Sequence, residues 1–201
     1  TDQQILVMRM LEQTGGTVDV VDFAGKLRNW ILKGFPELGD SGGMGIGQTV
    51  SRVVKRQEFL TEPHKMSEDV WERSGREVAP NGAIMRTAVL GIPTFWDTKQ
   101  VVHNCCEIAK VTHFDPRCQA SCIAVCLTIS EMMKGKDPFA EKHQHIEKII
   151  QESSFLSIGY TYKCLGSAFW AFYQSKYNFK DAIMKIVREG GDSDTNATVA
   201  G

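Results

Sequence analysis

The residues best equipped for chemistry lie near the C-terminal end, in Gly190-Gly191-Asp192-Ser193-Asp194-Thr195. Two carboxylates beside hydroxyls within four positions offer the oxygen donors that hard divalent cations such as Mg²⁺ and Ca²⁺ prefer. A zinc site would lean on cysteine and histidine instead. The two preceding glycines, with the small residues that follow, suit a tight turn feeding a closely packed helix. Two readings stand for this segment. It is a cation site at a helix start, or an ordinary helix N-terminus where Asp or Ser caps and acids meet the dipole. A second hydroxyl–carboxylate pair opens the chain, in Thr1-Asp2-Gln3-Gln4. A third feature is the loop Ser41-Gly42-Gly43-Met44-Gly45-Ile46-Gly47-Gln48-Thr49. Its glycines would let backbone N–H groups approach phosphate oxygens, although flexible loops often share this composition.

Helices must position these pieces. Residues 2–13 space Ile5, Met8 and Leu11 three apart. Asp19 to Lys33 places Phe23, Leu27, Trp30 and Ile31 inward and ends at Gly34 and Pro36. Further helices are expected over Gln48 to Phe59, 97–110, 115–134 and 139–152, the last with Pro138 near its first turn. Lys163 to Gln174 is apolar nearly all round, which predicts a central buried helix, and Phe179 to Arg188 leads into the acidic turn. No period-two strand pattern follows Asn81-Gly82, because Met85 and Leu90 come next at other spacings. The expectation is a single all-α domain over residues 1–201, with Trp30, Trp96 and Trp170 as core aromatics.

Composition narrows the function classes. With 42% hydrophobic and 23% charged residues, the 201-residue chain has ordinary values for a globular protein. A net charge of -1 gives no electrostatic footprint for nucleic acid or anionic membrane. No apolar run approaches the roughly 18 residues of a membrane span. Cys118, Cys122 and Cys126 recur every four residues and form one stripe on a helix. The stripe reads as buried thiols, and with Cys105, Cys106 and Cys164 the number of free thiols fits a reducing, cytoplasmic compartment.

Taken in order, Thr1-Asp2-Gln3-Gln4, Asn81-Gly82-Ala83-Ile84-Met85-Arg86, Thr112-His113 with Pro116, and Gly190-Gly191-Asp192-Ser193-Asp194-Thr195 resemble the motifs of the ADP-ribosylglycohydrolase family. The resemblance spans the whole chain. It implies a compact orthogonal helical bundle and a Mg²⁺-dependent hydrolase that frees ADP-ribose from a protein side chain or small-molecule acceptor. It also implies two Mg²⁺ ions held by Thr1, Asp2, Asp192, Asp194 and Thr195, with Asp2 and Asp194 as the catalytic carboxylates. Gly43, Gly45, Gly47, Gln48, Asn81, Gly82 and His113 would face the ADP-ribose. His113 fits a structural role equally, as do Asn81 and Gly82, while Arg86 is expected to pair with an acid and hold its turn.

One departure from the family pattern bears on activity. Gln3 stands where the family has a second Asp, and a neutral amide should weaken one of the two cations. Family members also carry an N-terminal helix with a Gly-Asp-Ala-x-Gly segment and a nearby Glu, and a C-terminal tail. The chain is therefore expected to be the central part of a longer protein. A catalytically impaired relative that binds ADP-ribose, or serves structurally as the jellyfish crystallins of this family do, is the alternative function.

Overall fold

The computed structural model describes residues 2–43, 45–137, 159–176 and 178–201. Among these residues the chain is all-α, with ten helices and no strand. They are α1 (Asp2–Gln13), α2 (Val20–Lys33), α3 (Gln48–Val54), α4 (Pro63–Arg73), α5 (Ile84–Thr87), α6 (Thr98–Lys110), α7 (Pro116–Met133), α8 (Thr161–Ser175), α9 (Phe179–Glu189) and α10 (Ser193–Ala200). None is long and apolar enough to cross a membrane. The expected helix over 139–152 and the residues Thr1 and Met44 lie outside the described residues.

Local chemistry sets the helix ends. Asp19 Oδ1 accepts the amides of Val21 and Asp22 at the start of α2, and Asp97 does the same for Lys99 and Gln100 at α6. Asn178 and Asp115 cap α9 and α7 in the same way. Such caps each contribute about 1 kcal/mol. Gly34 ends α2 at φ 63°, a backbone conformation that costs a glycine little.

Packing then joins the elements. Phe23, Leu27, Phe59, Ile84, Leu90, Val101 and Ile108 are among the buried side chains of one continuous apolar cluster that runs from α1 to α8. α6 packs along α7, and α8, α9 and α10 pack on one another. The second group meets through Ala168, Ala171, Ala182, Ile186 and Ala200, mostly alanines, whose small side chains allow close approach of the backbones. The four-residue α5 touches α1, α6, α7 and α10. It therefore stands between the first helix and the last.

Several expectations change. The helix expected from Gln48 to Phe59 stops at Val54 and continues as a 3-10 turn over Gln57–Leu60. α4 stands where no helix was expected: its buried residues Pro63, Met66, Ser67 and Val70 keep helical spacing, but the segment around them is polar. α8 is not buried all round: Trp170 is 36% exposed, and Trp96 in the turn before α6 is 68% exposed. Both indoles were expected in the core. Trp30 is there, 3% exposed.

The cysteine stripe is buried as expected, and all six thiols are free. Cys118 Sγ donates to the Pro80 carbonyl at 3.2 Å and Cys126 Sγ to the Thr87 carbonyl at 3.1 Å. The thiols thus pin α7 to the turn before α5 and to the last residue of α5. Gly91 makes a closer junction, since a Cβ there would lie 2.5 Å from the Cys126 carbonyl oxygen. Gly91→Ala should therefore lower stability by about 1–3 kcal/mol. A chemical denaturation midpoint equal to that of the unsubstituted protein would show that this junction yields freely.

Candidate functional site

The N-terminal ends of α1 and α10 open onto one cleft of about 870 Å³. Asp2 and Gln3 line it from α1; Asp192, Asp194 and Thr195 line it from the start of α10. Gly45, Gly47 and Gln48 come from the glycine loop, Asn81 and Gly82 from the turn before α5, and His113 from the turn after α6. The fold thus gathers nearly all the residues singled out in the sequence. Gly43 is an exception: a Cβ there would lie 2.9 Å from the Trp30 carbonyl oxygen and 3.0 Å from its indole, so its backbone rests on that side chain. Thr1 lies outside the described residues.

The acidic turn lies at the start of α10, with Asp194 in its first turn. Asp192 occupies the N-cap position of α10 but makes no side-chain capping hydrogen bond. Its Oδ2 instead accepts from Asn81 Nδ2 at 2.6 Å. Asn81 is held in turn by its own N–H, which donates to the Gly159 carbonyl at 2.9 Å across an isolated antiparallel bridge, Pro80 to Tyr160. The carboxylates of Asp2 and Asp194 form no ion pair with a described residue. Among the described residues no lysine or arginine lines the cleft, so three carboxylates face it without a described counter-charge.

That donor chemistry suits a hard cation. Among the described residues no three acidic, histidine or cysteine side chains converge tightly enough to hold an ion by themselves. A cation here would complete its shell with the Thr195 hydroxyl and water. Mg²⁺, which keeps several waters and needs few carboxylates, fits such a set.

Gln3 has a different partner from its neighbour Asp2. It is 2% exposed, and its Oε1 accepts from Arg86 Nη1 at 3.1 Å. Arg86 was expected to pair with an acid; instead its described acceptors are this amide and the carbonyls of Ile108 at 2.9 Å and Ala109 at 3.4 Å. Its guanidinium lies over the Phe23 ring, 5.1 Å from the centroid. Burial pulls its pKa down to about 10, which leaves it charged at neutral pH.

His113 is buried, with Nδ1 2.7 Å from Thr112 Oγ1. Its ring lies against Gly82, where a Cβ would come within 2.9 Å of Cε1 and 3.0 Å of Nε2. Gly82 is thus the residue that admits the imidazole. Burial, reinforced by the charge of Arg86, lowers the His113 pKa to about 3. The ring is therefore neutral at neutral pH.

Thr49 and Met85, which belong to the motifs quoted from the sequence, also line the cleft, as does Trp30, expected only as a core aromatic; sequence reasoning missed Val50, Val78, Pro80 and Thr198. Thr198 lies one helical turn after Asp194, a spacing that the sequence did offer. Trp30 reaches the wall only because α2 packs behind the glycine loop. A second cavity, of about 350 Å³, is lined mostly by apolar residues such as Met8, Ile129, Phe169 and Val199, with no charged side chain among the described residues that line it.

A stability prediction follows from the imidazole. The His113 pKa is depressed in the folded state, so the unfolded chain binds the extra proton between about pH 6.5 and 3. The stability attached to the neutral ring is complete above pH 6.5 and is lost as pH falls toward 3. In His113→Gln, the thermal midpoint should fall less steeply across that range than in the unsubstituted protein. Parallel pH profiles for the two proteins would contradict the assignment.

Comparison with known proteins places the chain among relatives. The chain is 23% identical over 196 residues to the ADP-ribosyl-dinitrogen reductase glycohydrolase of Rhodospirillum rubrum. The match covers 92% of this chain and 60% of that protein, so the chain spans well under two thirds of its relative. It is also 24% identical, over an alignment of 225 residues, to an uncharacterized protein of Archaeoglobus fulgidus; that match covers 100% of this chain and 68% of the other. The ADP-ribosylglycohydrolase family pattern matches residues 1–201, all of the sequence, and the chain belongs to that family.

Proposed function

We propose that the protein is a Mg²⁺-assisted hydrolase that cleaves the glycosidic bond between ADP-ribose and a protein side chain or small-molecule acceptor. The observation that carries this reading is that Asp2, from the first helix, shares one cleft with Asp192 and Asp194, from the last, and with the glycine loop. Cleavage at an anomeric carbon passes through an oxocarbenium-like state and needs an activated water and a stabilised leaving group. A bound Mg²⁺ would supply a water of lowered pKa and anchor ribose hydroxyls.

The chain's own residues divide the remaining work. Asp2 and Asp194 present carboxylates without described ion-pair partners and would orient the water and receive its proton. Asp192 and Thr195 complete the oxygen set, with Asn81 fixing the Asp192 carboxylate at 2.6 Å. Gly45, Gly47 and Gln48 would receive the diphosphate on backbone N–H groups. The neutral His113 would hydrogen-bond the ligand where Gly82 leaves room for its ring. Gln3 lowers the charge available to cations, and turnover should be slow. A second reading, a non-catalytic ADP-ribose binder, draws its support from Gln3, whose amide oxygen is engaged by Arg86 rather than directed at a cation.

Calorimetric titration of ADP-ribose with and without Mg²⁺ tests both. Mg²⁺-dependent binding that weakens by about tenfold or more in Asp194→Ala is expected, since ligand and positioning groups of a metal site commonly carry effects of that size. Asp194 is exposed and the variant should fold normally. Binding that is indifferent to Mg²⁺ would favour the non-catalytic reading, and no binding at all would remove both.

The phosphate cradle has its own test. Gly45 adopts φ 67°, which a β-branched side chain rarely does, yet a Cβ there would meet nothing within 4 Å. Gly45→Val should reshape the loop and reduce ADP-ribose affinity by roughly tenfold or more while the thermal midpoint changes little. Unchanged affinity would reject the loop as the diphosphate site.

A further inference from the structure

We infer that the side chain at position 3 belongs to the buried Arg86 rather than to the cation of the cleft, and that the cleft oxygens of this chain hold a single divalent ion. The inference rests on the cation reading proposed above and specifies its stoichiometry.

The first argument is hydrogen-bond accounting. Arg86 is fully buried, and a guanidinium has donors but no acceptor. The Gln3 atom that faces its Nη1 at 3.1 Å is therefore the amide oxygen. The other described acceptors of Arg86 are main-chain carbonyls, Ile108 at 2.9 Å and Ala109 at 3.4 Å. Its Nε has no described partner. Turning Gln3 toward a cation would remove the one described side-chain oxygen from a charge that water cannot reach. A buried charge left short of acceptors is among the costlier defects in a protein interior.

The second argument is charge. Asp2, Asp192 and Asp194 bring three negative charges to the cleft, and one of them already shares an oxygen with Asn81. Arg86 lies directly behind Gln3, and its field also reaches His113 on the same wall. One divalent ion leaves a single negative charge, which Arg86 balances. A second divalent ion would leave an excess positive charge, to which Arg86 adds.

The test uses Mn²⁺ alone as the probe, with bound ion counted by electron paramagnetic resonance, and thermal midpoints recorded in chelator. Wild type and Gln3→Glu should each bind one Mn²⁺ per chain. The metal-free midpoint of Gln3→Glu should rise by about 3 °C or more, because a carboxylate of the same shape would neutralise Arg86. In Gln3→Met, which removes the acceptor at similar volume, the midpoint should fall by about 3 °C or more. Its Mn²⁺ affinity should stay within about threefold of wild type.

Two Mn²⁺ ions in wild type or in Gln3→Glu would overturn the one-ion site. A tenfold loss of Mn²⁺ affinity in Gln3→Met with an unchanged midpoint would return Gln3 to the ligand set. Absence of Mn²⁺ binding in every protein would remove the cation reading itself. The metal-free midpoints would then still decide whether position 3 serves Arg86, because they contain no metal.

Discussion

A guanidinium sealed from water is the constraint around which this molecule is arranged. Arg86 remains charged in the interior, so its donors must be met by oxygens held at fixed places. Those oxygens come from α1 through Gln3 and from α6 through Ile108 and Ala109, while α2 lays the Phe23 ring beneath the charge. Three helices therefore meet on a side chain carried by a fourth, α5, the shortest of the ten α-helices described. Asp2 is the immediate neighbour of Gln3, so the same bond that satisfies the arginine fixes the turn presenting the first cleft carboxylate.

Two more interactions extend this frame to the opposite end of the chain. α5 packs on α10 as well as on α1, and Asn81, just before α5, holds the Asp192 carboxylate. The segment 81–86 thus reaches both acidic turns, with one side chain directed at each. The alanine-lined contact among α8, α9 and α10 serves the same end, because it holds α10 close to its neighbours without large side chains to displace it. The cleft is formed where these constraints meet rather than by any one helix.

Much of this was legible in the sequence, and the reason differs from residue to residue. The capped helices were readable because Asp19, Asp97 and Asp115 announce their starts in local chemistry. The cleft residues were readable because their types and order carry a specific donor chemistry. What escaped depended on contacts between distant segments. α4 keeps helical spacing, but Ser67 is one of its few buried residues and the segment is otherwise polar, so its apolar content is low. Trp96 and Trp170 are of a type common in cores, but the described residues around them leave them 68% and 36% exposed. The partner of Arg86 was misjudged because pairing with an acid is the commoner solution for a buried arginine. Only the approach of α1 to α5 makes the Gln3 amide available.

The antiparallel bridge between Pro80 and Tyr160 carries a further implication, about heredity. The orientation of Asp192 is inherited from Asn81, whose backbone is fixed by the Gly159 carbonyl, while Thr161 donates back to the carbonyl of Ala79. These links are main chain to main chain, so they are blind to side-chain identity. Drift at positions 79, 159 and 160 can erase sequence likeness there while the aim of the acidic turn persists. Distant relatives of this chain can differ at all three positions and still share its cleft.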